Sequence, residues 1–242
     1  MAEQIDDYIL CDDESSLADA ITTIQGASLL VLDCEGQTLG NEGGALSLIC
    51  LRALEPEISG TYLIDAISLS KEQLNPIFDR MQSSSVTKIM FDGRKDFSEL
   101  YHGFGVYLRG VLDLQLADVE SRRQRGEDQG KQISRLLALL PPREIFRKRH
   151  LYSAVQKLCG LQNCVGEHKI IKVPKTDPVS HSDWLIRPLS EQYLRYSSRD
   201  AYFITILYDH FIESGERGPR QRTYFVNMAS SPSTSLTIAL PL

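Results

Sequence analysis

The sequence predicts an α/β protein, and three observations support that prediction. Short apolar runs with β-branched residues, such as SLLVLDCE at 28–35 and VTKIMFD at 86–92, end at acidic residues, which is typical of buried strands. Helical patterns separate the later runs, and this alternation predicts a largely parallel sheet with helices on both faces. With 242 residues, of which 42% are hydrophobic, the chain can form one core of ordinary size.

The predicted strands lie in the first half of the chain. They are expected at 28–35, 45–53, 61–66, 86–92 and in GVLDLQLAD from Gly110. A Gly-rich connection joins the first two strands, which predicts a hairpin with a long loop. Strands three and four are each followed by an amphipathic helix, and Ser70 is the expected N-cap of the first of these helices. Their apolar positions are Leu74, Ile77, Phe78 and Met81 in one helix and Phe97, Leu100, Tyr101 and Phe104 in the other.

The second half of the chain is predicted to be mainly helical. Helices are expected at 133–140, 151–160 and 190–212, with a loop at 164–183. The domain organisation that follows is a lead-in element at 1–26, a main domain at 27–213 and a tail at 214–242. The tail is rich in Gly, Pro, Ser and Thr, and we expect its end to be poorly ordered.

Hydropathy and cysteine usage predict an intracellular protein of the cytoplasm or nucleus, with no membrane partner and no secretion. No stretch approaches roughly 20 apolar residues, and the N-terminus has no basic start leading into an apolar run. Five cysteines are too few for a disulfide framework in a chain of this length. A zinc site is a second interpretation of some of them, but the cysteine spacing is slightly too wide, so ordinary helix and loop positions are favoured. The residues concerned are Cys159, Cys164, His168 and His181.

The charge is distributed unevenly along the chain. The net charge is -6, yet residues 121–176 contain 13 Lys or Arg and four Asp or Glu. A basic segment in an otherwise acidic sequence is suited to binding phosphate groups, although a solvated helical surface would show the same pattern. The candidate phosphate contacts in this segment are Arg122, Arg123, Arg125, Arg147, Lys148, Arg149, Lys169, Lys172 and Lys175.

Acidic residues stand at the ends of predicted strands and on the last helix. Asp33 and Glu35 share one face of a buried strand, where two like charges repel unless a cation bridges them. Asp96 follows the fourth strand, and Tyr196 and Asp200 lie one turn apart on a helix. Each feature alone also has an ordinary structural interpretation, which is a solvated turn, a helix cap or a chance pairing.

Together these residues resemble the three motifs of the DEDD superfamily of 3′-5′ exonucleases, in its ribonuclease D-like branch. DCEG at 33–36 is similar to the first motif, KIMFDGRKDFSEL at 88–100 to the second, and YSSRD at 196–200 to the tyrosine form of the third. Three further segments also resemble this branch, namely LGNEGGALSLICL, YLIDAISL and DWLIRPLSEQYLRY. The resemblance covers about residues 28–211, and eukaryotic 3′-5′ exonuclease domain-containing proteins are the nearest group.

The resemblance implies a ribonuclease H-like fold, with a five-stranded mixed sheet flanked by helices and an exonuclease domain at 27–213. It implies that four acids hold two Mg²⁺ or Mn²⁺ ions for hydrolysis of the terminal phosphodiester, while Tyr196 positions the attacking water. The four acids are Asp33, Glu35, Asp96 and Asp200. Because the carboxylates offer only hard oxygen ligands, this donor set suits such ions.

The expected partners are the 3′ ends of single-stranded RNA or DNA, with RNA mildly preferred. Candidate phosphate contacts are Lys172, Lys175, Arg195 and Arg199, for which solvated positions are the alternative. Phe91 stands where relatives often have histidine, and Leu114 where threonine is frequent, so we expect effects on substrate handling and rate. The alternative function is a nucleic-acid-binding adaptor on the same fold. A dinucleotide-binding enzyme is disfavoured because GNEGG lacks G-x-G-x-x-G spacing.

Overall fold

A mixed six-stranded sheet forms the centre of the protein. The computed structural model describes residues 7–55, 60–153, 155–173 and 179–213. The strands are β1 (Ile9–Cys11), β2 (Leu29–Gln37), β3 (Ala45–Ala53), β4 (Gly60–Asp65), β5 (Thr87–Met90) and β6 (Val111–Asp113). The predicted α/β class is confirmed, whereas the predicted number of five strands is wrong. The additional strand comes from the lead-in element, where Ile9–Cys11 pairs in parallel with β4.

The strand order is β1-β4-β3-β2-β5-β6. The sheet is antiparallel where β3 pairs with β2 and β4, and parallel where β2 pairs with β5 and β5 with β6. This arrangement agrees with a hairpin at the start of the sheet and with helical crossovers to the later strands. It places β2, which carries Asp33 and Glu35, in the middle of the sheet with a strand on each side.

Nine α-helices are seen in the described residues. They are α1 (Glu14–Gln25), α2 (Lys71–Gln82), α3 (Arg94–Glu99), α4 (Leu114–Gln124), α5 (Gln129–Leu136), α6 (Pro142–Arg147), α7 (Arg149–Tyr152), α8 (Leu161–Glu167) and α9 (Glu191–Glu213). The predicted N-cap of α2 is confirmed, because the Ser70 hydroxyl accepts from the backbone of Gln73 in a capping box. Within the described ranges, no helix has the length and apolarity that a membrane crossing requires.

The helices cover the two faces of the sheet. The core on one face contains Leu30 and Leu32 of β2 together with apolar residues of α1 and α2. The core on the other face contains Val31 of β2 and residues of α4, α8 and α9. Because side chains alternate along a strand, this arrangement directs the next odd-numbered positions of β2, Asp33 and Glu35, toward α9.

Several predicted elements differ from the structure. The segment GVLDLQLAD is a strand only at Val111–Asp113, since the Asp113 carboxylate accepts from the Gln115 amide (2.9 Å) and starts α4. The second predicted helix continues from α3 into a π-helical turn at Leu100–Phe104. The helix predicted at 151–160 is wrong at residues 155–160, and α8 enters the predicted loop at 164–183. The predicted tail at 214–242 lies outside the described residues.

Candidate active site

Asp33 and Glu35 lie at the middle and in the second half of β2, and the strand changes register directly after Glu35. Glu35 is 8% exposed, and a β-bulge follows it between Glu35 and Gly36. A Cβ on Gly36 would lie 2.2 Å from the carbonyl oxygen of Ala45, so glycine lets β2 and β3 approach at this bulge. The two carboxylates are therefore held by a central strand that can shift little.

Asp96 joins this pair from the first turn of α3. Its Oδ1 accepts a hydrogen bond from the backbone amide of Cys34 (2.8 Å), the residue between the two β2 acids, and the side chain is 7% exposed. The N-cap of α3 is Gly93, so the carboxylate of Asp96 does not act as the N-cap. This hydrogen bond joins Asp96, which belongs to the second predicted motif, to β2, which carries Asp33 and Glu35 of the first motif.

The other acids near this edge have structural contacts. The Asp92 carboxylate pairs with Arg94 (2.5 Å), and the Asp92 amide donates to Asp113 Oδ1 (3.1 Å). Asp113 also caps α4. These contacts account for Asp92 and Asp113 as supports of the β5–α3 turn, in which Asp92 has a positive φ of 57°.

Tyr196 and Asp200 reach the cluster from α9. The helix lies close to the sheet because small residues face it: Ser197, Ser198 and Ala201 are fully buried. Cys50, which pairs with Asp33 across β2 and β3, contacts the Ser197 carbonyl oxygen through its sulfur (3.7 Å). The Tyr196 phenol lies near the Asp200 carboxylate, one turn further along the helix.

Burial raises the pKa values of all four acids, and repulsion within the cluster adds to it for Asp33 and Glu35. Burial is the largest cause, and for Asp33 the charges of Asp96 and Asp200 add to it, so that its pKa lies well above the usual range. The pKa of Glu35 is also well raised, that of Asp96 is raised to about 6, and that of Asp200 is raised. Such a cluster favours either bound protons or a bound cation. The donors are all carboxylate oxygens, so the residues present fit Mg²⁺ or Mn²⁺.

Arg199 is the cation that contacts the cluster. Among ion pairs of the described residues, one involves these four acids, and it joins Arg199 Nε to Asp200 Oδ1 (3.4 Å). The Arg199 guanidinium stacks on the Tyr196 ring at 4.9 Å and is only 5% exposed, so a solvated helix face is the wrong alternative here. Its Nη2 is buried and has no hydrogen-bond partner in the described part of the chain. Arg199 thus pairs with one of the four carboxylates and retains an unused donor.

The other predicted phosphate contacts do not join the cluster. Arg195 is exposed and pairs with Glu191 (3.0 Å) one turn earlier on α9. Lys172 is exposed after α8 and, within the described ranges, makes no ion pair with the four acids. Lys175 lies outside the described residues.

The basic segment uses many of its charges internally. Arg122 is 1% exposed and pairs with Asp118, so its prediction as a phosphate contact is wrong. Arg123 pairs with Glu120, and Lys148 with Glu144 (2.7 Å). The net positive charge of the sequence segment therefore overstates the charge available at the surface.

Trp184 and Arg187 support the site, and sequence reasoning did not assign either a role. Trp184 is fully buried and packs edge-on against the Tyr196 ring (6.0 Å between centroids). Arg187 forms two hydrogen bonds to the Asp65 carboxylate (2.6 and 2.7 Å) at the end of β4 and another to the Ser47 hydroxyl (3.0 Å). Trp184 and Arg187 belong to the segment DWLIRPL, and Asp65 belongs to YLIDAISL. The family resemblance included both segments, but it did not predict the ion pair between Asp65 and Arg187.

The fold and this site define a class of protein, an α/β sheet protein with a buried cluster of carboxylates next to a tyrosine. A family model described as 3′-5′ exonuclease matches residues 8–216. The chain belongs to this 3′-5′ exonuclease family.

Known proteins resemble the chain over most of its length. It is 23% identical to Protein RRP6-like 3 of Arabidopsis thaliana over 248 residues, which cover 98% of this chain and 23% of that protein. The solved structure of Trypanosoma brucei RNase D is similar with a TM-score of 0.65 at 20% identity, over 85% of this chain and 64% of that one. The Nibbler EXO domain of Aedes aegypti gives 0.55 at 22% identity, over 84% and 86%. The chain thus spans about a quarter of the plant relative, and the structural likenesses show the fold.

Proposed function

We propose that the protein is a metal-dependent 3′-5′ exonuclease, which removes nucleotides one at a time from the 3′ end of a single-stranded nucleic acid. One observation carries this proposal: β2, α3 and α9 bring four carboxylates near one another, and in the described part of the chain one of them, Asp200, has an arginine partner. The family membership of residues 8–216 supports the same activity.

The four carboxylates are the proposed ligands of two Mg²⁺ or Mn²⁺ ions. When bound, such ions supply electrostatic stabilisation of the attacking and leaving oxygens of an in-line phosphodiester displacement. The residues of the chain hold these oxygen ligands in a rigid arrangement, because Asp33 and Glu35 are on a central strand and Asp96 is hydrogen-bonded to the same strand.

Tyr196 is the proposed residue that orients the attacking water. Burial, followed by the charges of Asp200 and Glu35, raises the pKa of its phenol, so the hydroxyl remains protonated at neutral pH. A protonated phenol beside Asp200 keeps oxygen lone pairs that can accept a hydrogen bond from water. Tyr196 therefore acts by positioning the water and not as a free base.

Arg199 is the proposed contact for the terminal phosphate. Its guanidinium is held between the rings of Tyr196 and Phe203, at 4.9 and 5.9 Å, and its Nη2 has no hydrogen-bond partner among the described residues. A fixed, partly unsatisfied guanidinium suits a phosphate oxygen. Lys172, Lys175 and Arg195 remain proposed contacts for phosphates further from the 3′ end.

RNA is the proposed substrate in preference to DNA. The structure of Trypanosoma brucei RNase D is known in complex with the RNA U12, and Escherichia coli RNase D is described as an exoribonuclease. These relatives support RNA for the present chain. The test must include DNA, because the described contacts contain no element that reads a 2′-hydroxyl.

The activity can be tested with 5′-labelled single-stranded RNA and DNA of the same sequence, each with Mg²⁺, Mn²⁺ or EDTA. We expect a ladder that shortens from the 3′ end of RNA, needs the metal and disappears in Asp33→Ala. Asp79→Ala, on the exposed face of α2, is the matched control and should retain the ladder. Binding of RNA without a ladder under every metal condition would refute the enzyme and favour the adaptor.

A further inference from the structure

A second group of metal-binding side chains lies away from the carboxylate cluster, between α4, α8 and α9. Asp118 of α4, Cys164 of α8 and His168 at the end of α8 offer one ligand atom each, and these atoms all lie within 4.8 Å of one another. The Cys159 sulfur lies 3.3 Å from Asp118 Oδ2. Four donors therefore converge, and His181, which the sequence grouped with them, is exposed in the following loop.

We propose that Asp118, Cys159, Cys164 and His168 bind a structural zinc ion. The proposal is independent of the exonuclease activity. Two thiolates and an imidazole are typical zinc donors, and a carboxylate oxygen completes a tetrahedral site. In such a site, bonds of about 2.0–2.3 Å place ligand atoms about 3.3–3.8 Å apart. Nε2 of His168 lies 3.0 Å from Asp118 Oδ1, so small side-chain rotations would reach this geometry.

The local backbone presents the donors toward one point. Cys164 and His168 are one helical turn apart, and the His168 amide donates to the Cys164 carbonyl oxygen (3.0 Å), so their side chains share a face of α8. Cys159 precedes α8, and its carbonyl oxygen accepts from the Gln115 side chain (2.9 Å). The spacing that was slightly too wide in sequence is thus accommodated, because Cys159 lies in an anchored loop and Cys164 in a helix.

Neighbouring groups complete the surroundings that zinc sites use. Arg122 pairs with Asp118 Oδ2 and donates to the Lys157 carbonyl oxygen (2.6 Å), so Oδ1 can coordinate while Oδ2 remains in the ion pair. Nδ1 of His168 lies 3.2 Å from Nε2 of His210 on α9, which orients the ring. Such contacts behind the ligands fix their direction and their tautomer.

Charge balance permits a divalent ion in this buried place. The surrounding ion-pair network contains three arginines and three acids: Arg122, Arg125, Arg135, Asp118, Glu127 and Glu167. Zinc binding would deprotonate the two cysteine thiols and release two protons to solvent, so the added charge of the ion is cancelled by two thiolates. The site would gain no net charge. A fully protein-ligated tetrahedral ion leaves no open position, which assigns it a structural role.

Metal analysis of the wild-type protein tests the proposal. After gel filtration in EDTA, which removes ions from a carboxylate site, we expect about one zinc ion per chain to remain. Mercurial modification of the thiols should release it. Asp33→Asn should keep the zinc, and so should the matched cysteine control Cys11→Ser, whereas Cys164→Ser and His168→Gln should lose it.

Cobalt provides a test that does not depend on folding of the variants. Wild-type protein prepared with Co²⁺ should show intense visible bands of tetrahedral cobalt and a thiolate-to-cobalt charge-transfer band. Three results would each overturn the proposal. They are less than one zinc ion per chain in folded wild-type protein after exposure to zinc, octahedral cobalt bands, and a disulfide between Cys159 and Cys164. Full zinc retention in Cys164→Ser would do the same.

Discussion

Two charged regions of the molecule contrast in how their charges are compensated. Around the second half of β2, four acids lie near one another, and among the described residues one ion pair involves them, between Arg199 and Asp200. Around Asp118, each buried or half-buried acid has an arginine partner, as in the pairs of Arg122 with Asp118 and Arg135 with Glu127 (2.5 Å). Because uncompensated buried charge is costly, we expect the first region to bind protons or a cation, whereas arginines within the chain balance the acids of the second region.

The two regions therefore have different roles. The four carboxylates form the proposed catalytic site, and the ion pairs around Asp118 stabilise the fold. Arg122, Arg125 and Arg135 link α4, α5 and α8 through ion pairs, so little of their charge is available to a nucleic acid. We expect the four carboxylates to destabilise the metal-free protein, because they repel one another when ionised. A mutation that removes one negative charge should therefore have opposite effects on stability in the two regions.

The largest expected effect is the loss of activity in Asp33→Asn. Removing one proposed metal ligand should lower kcat/KM by at least about a thousandfold, which corresponds to several kcal/mol of transition-state stabilisation. The free energy of unfolding of the metal-free protein should rise, because one repelling charge is removed. Single-turnover kinetics and urea denaturation in EDTA measure the two quantities. If Asp33→Asn instead lowered the free energy of unfolding and left the activity unchanged, this region would be structural and not catalytic.

Asp118→Ala should have the opposite pattern. It leaves the Arg122 guanidinium buried without its carboxylate, and breaking such a pair costs about 3–5 kcal/mol of unfolding free energy. Urea denaturation beside Asp33→Asn makes the comparison directly. If both variants lose the same stability, the distinction between the two regions fails.

Tyr196→Phe should reduce kcat about a hundredfold and leave KM nearly unchanged, because it removes the hydroxyl that orients water. The ring contacts with Trp184 and Arg199 persist, so the melting temperature should change little. Steady-state kinetics and thermal melting separate the two effects. A large fall in melting temperature would show that the hydroxyl is structural.

The Asp65–Arg187 pair should make a smaller contribution that depends on pH. Burial alone would raise the pKa of Asp65, but hydrogen bonds from Arg187 and from the amides of Ile67 and Ser68 lower it overall. The unfolded state then binds more protons than the folded state in acid, so the stabilisation is present above the unfolded pKa and is lost as the pH falls through the folded value.

Asp65→Asn should cost about 1–2 kcal/mol at neutral pH and flatten the acid limb of stability against pH. Urea denaturation from pH 7 down to about 3 measures this slope. Equal acid sensitivity in the variant and the wild type would contradict the role given to this pair.

The smallest expected effect is that of Lys172→Ala. Loss of one phosphate contact should weaken RNA binding modestly and reduce the slope of log K against log salt by about 1. Fluorescence anisotropy at several salt concentrations measures this slope. Lys71→Ala on α2 is the matched control and should leave it unchanged. An unchanged slope in Lys172→Ala would remove this lysine from the proposed interface.

Local patterns predicted much of the sheet and α2, because alternation and capping depend on near neighbours. Residues 45–53 form β3 as expected, and Ser70 caps α2. The strand at Ile9–Cys11 was missed since its pairing with β4 spans more than 50 residues. Residues 155–160 were expected to be helical, but long-range hydrogen bonds from Gln115 and Arg122 hold the loop in another conformation.

The proposed site was predicted as a set of residue types and intervals. The hydrogen bond of Cys34 to Asp96, the buried position of Arg199 and the pairing of Arg187 with Asp65 required the structure. Charge counting along the sequence pointed to the helical segment for phosphate binding, because the count ignores partners. Arg122 shows the error, since its partner is four residues earlier on the same buried helix face.

Manganese titration followed by electron paramagnetic resonance tests whether the four carboxylates bind divalent cations. We predict that the wild-type protein, with an RNA oligonucleotide bound by its 3′ end, binds about two Mn²⁺ ions per chain. The Asp33→Asn and Asp200→Asn variants should lose this binding. The control variant Asp79→Asn should keep it. Equal Mn²⁺ binding by all four proteins, or none by the wild type, would contradict the assignment of the carboxylate cluster as the cation site.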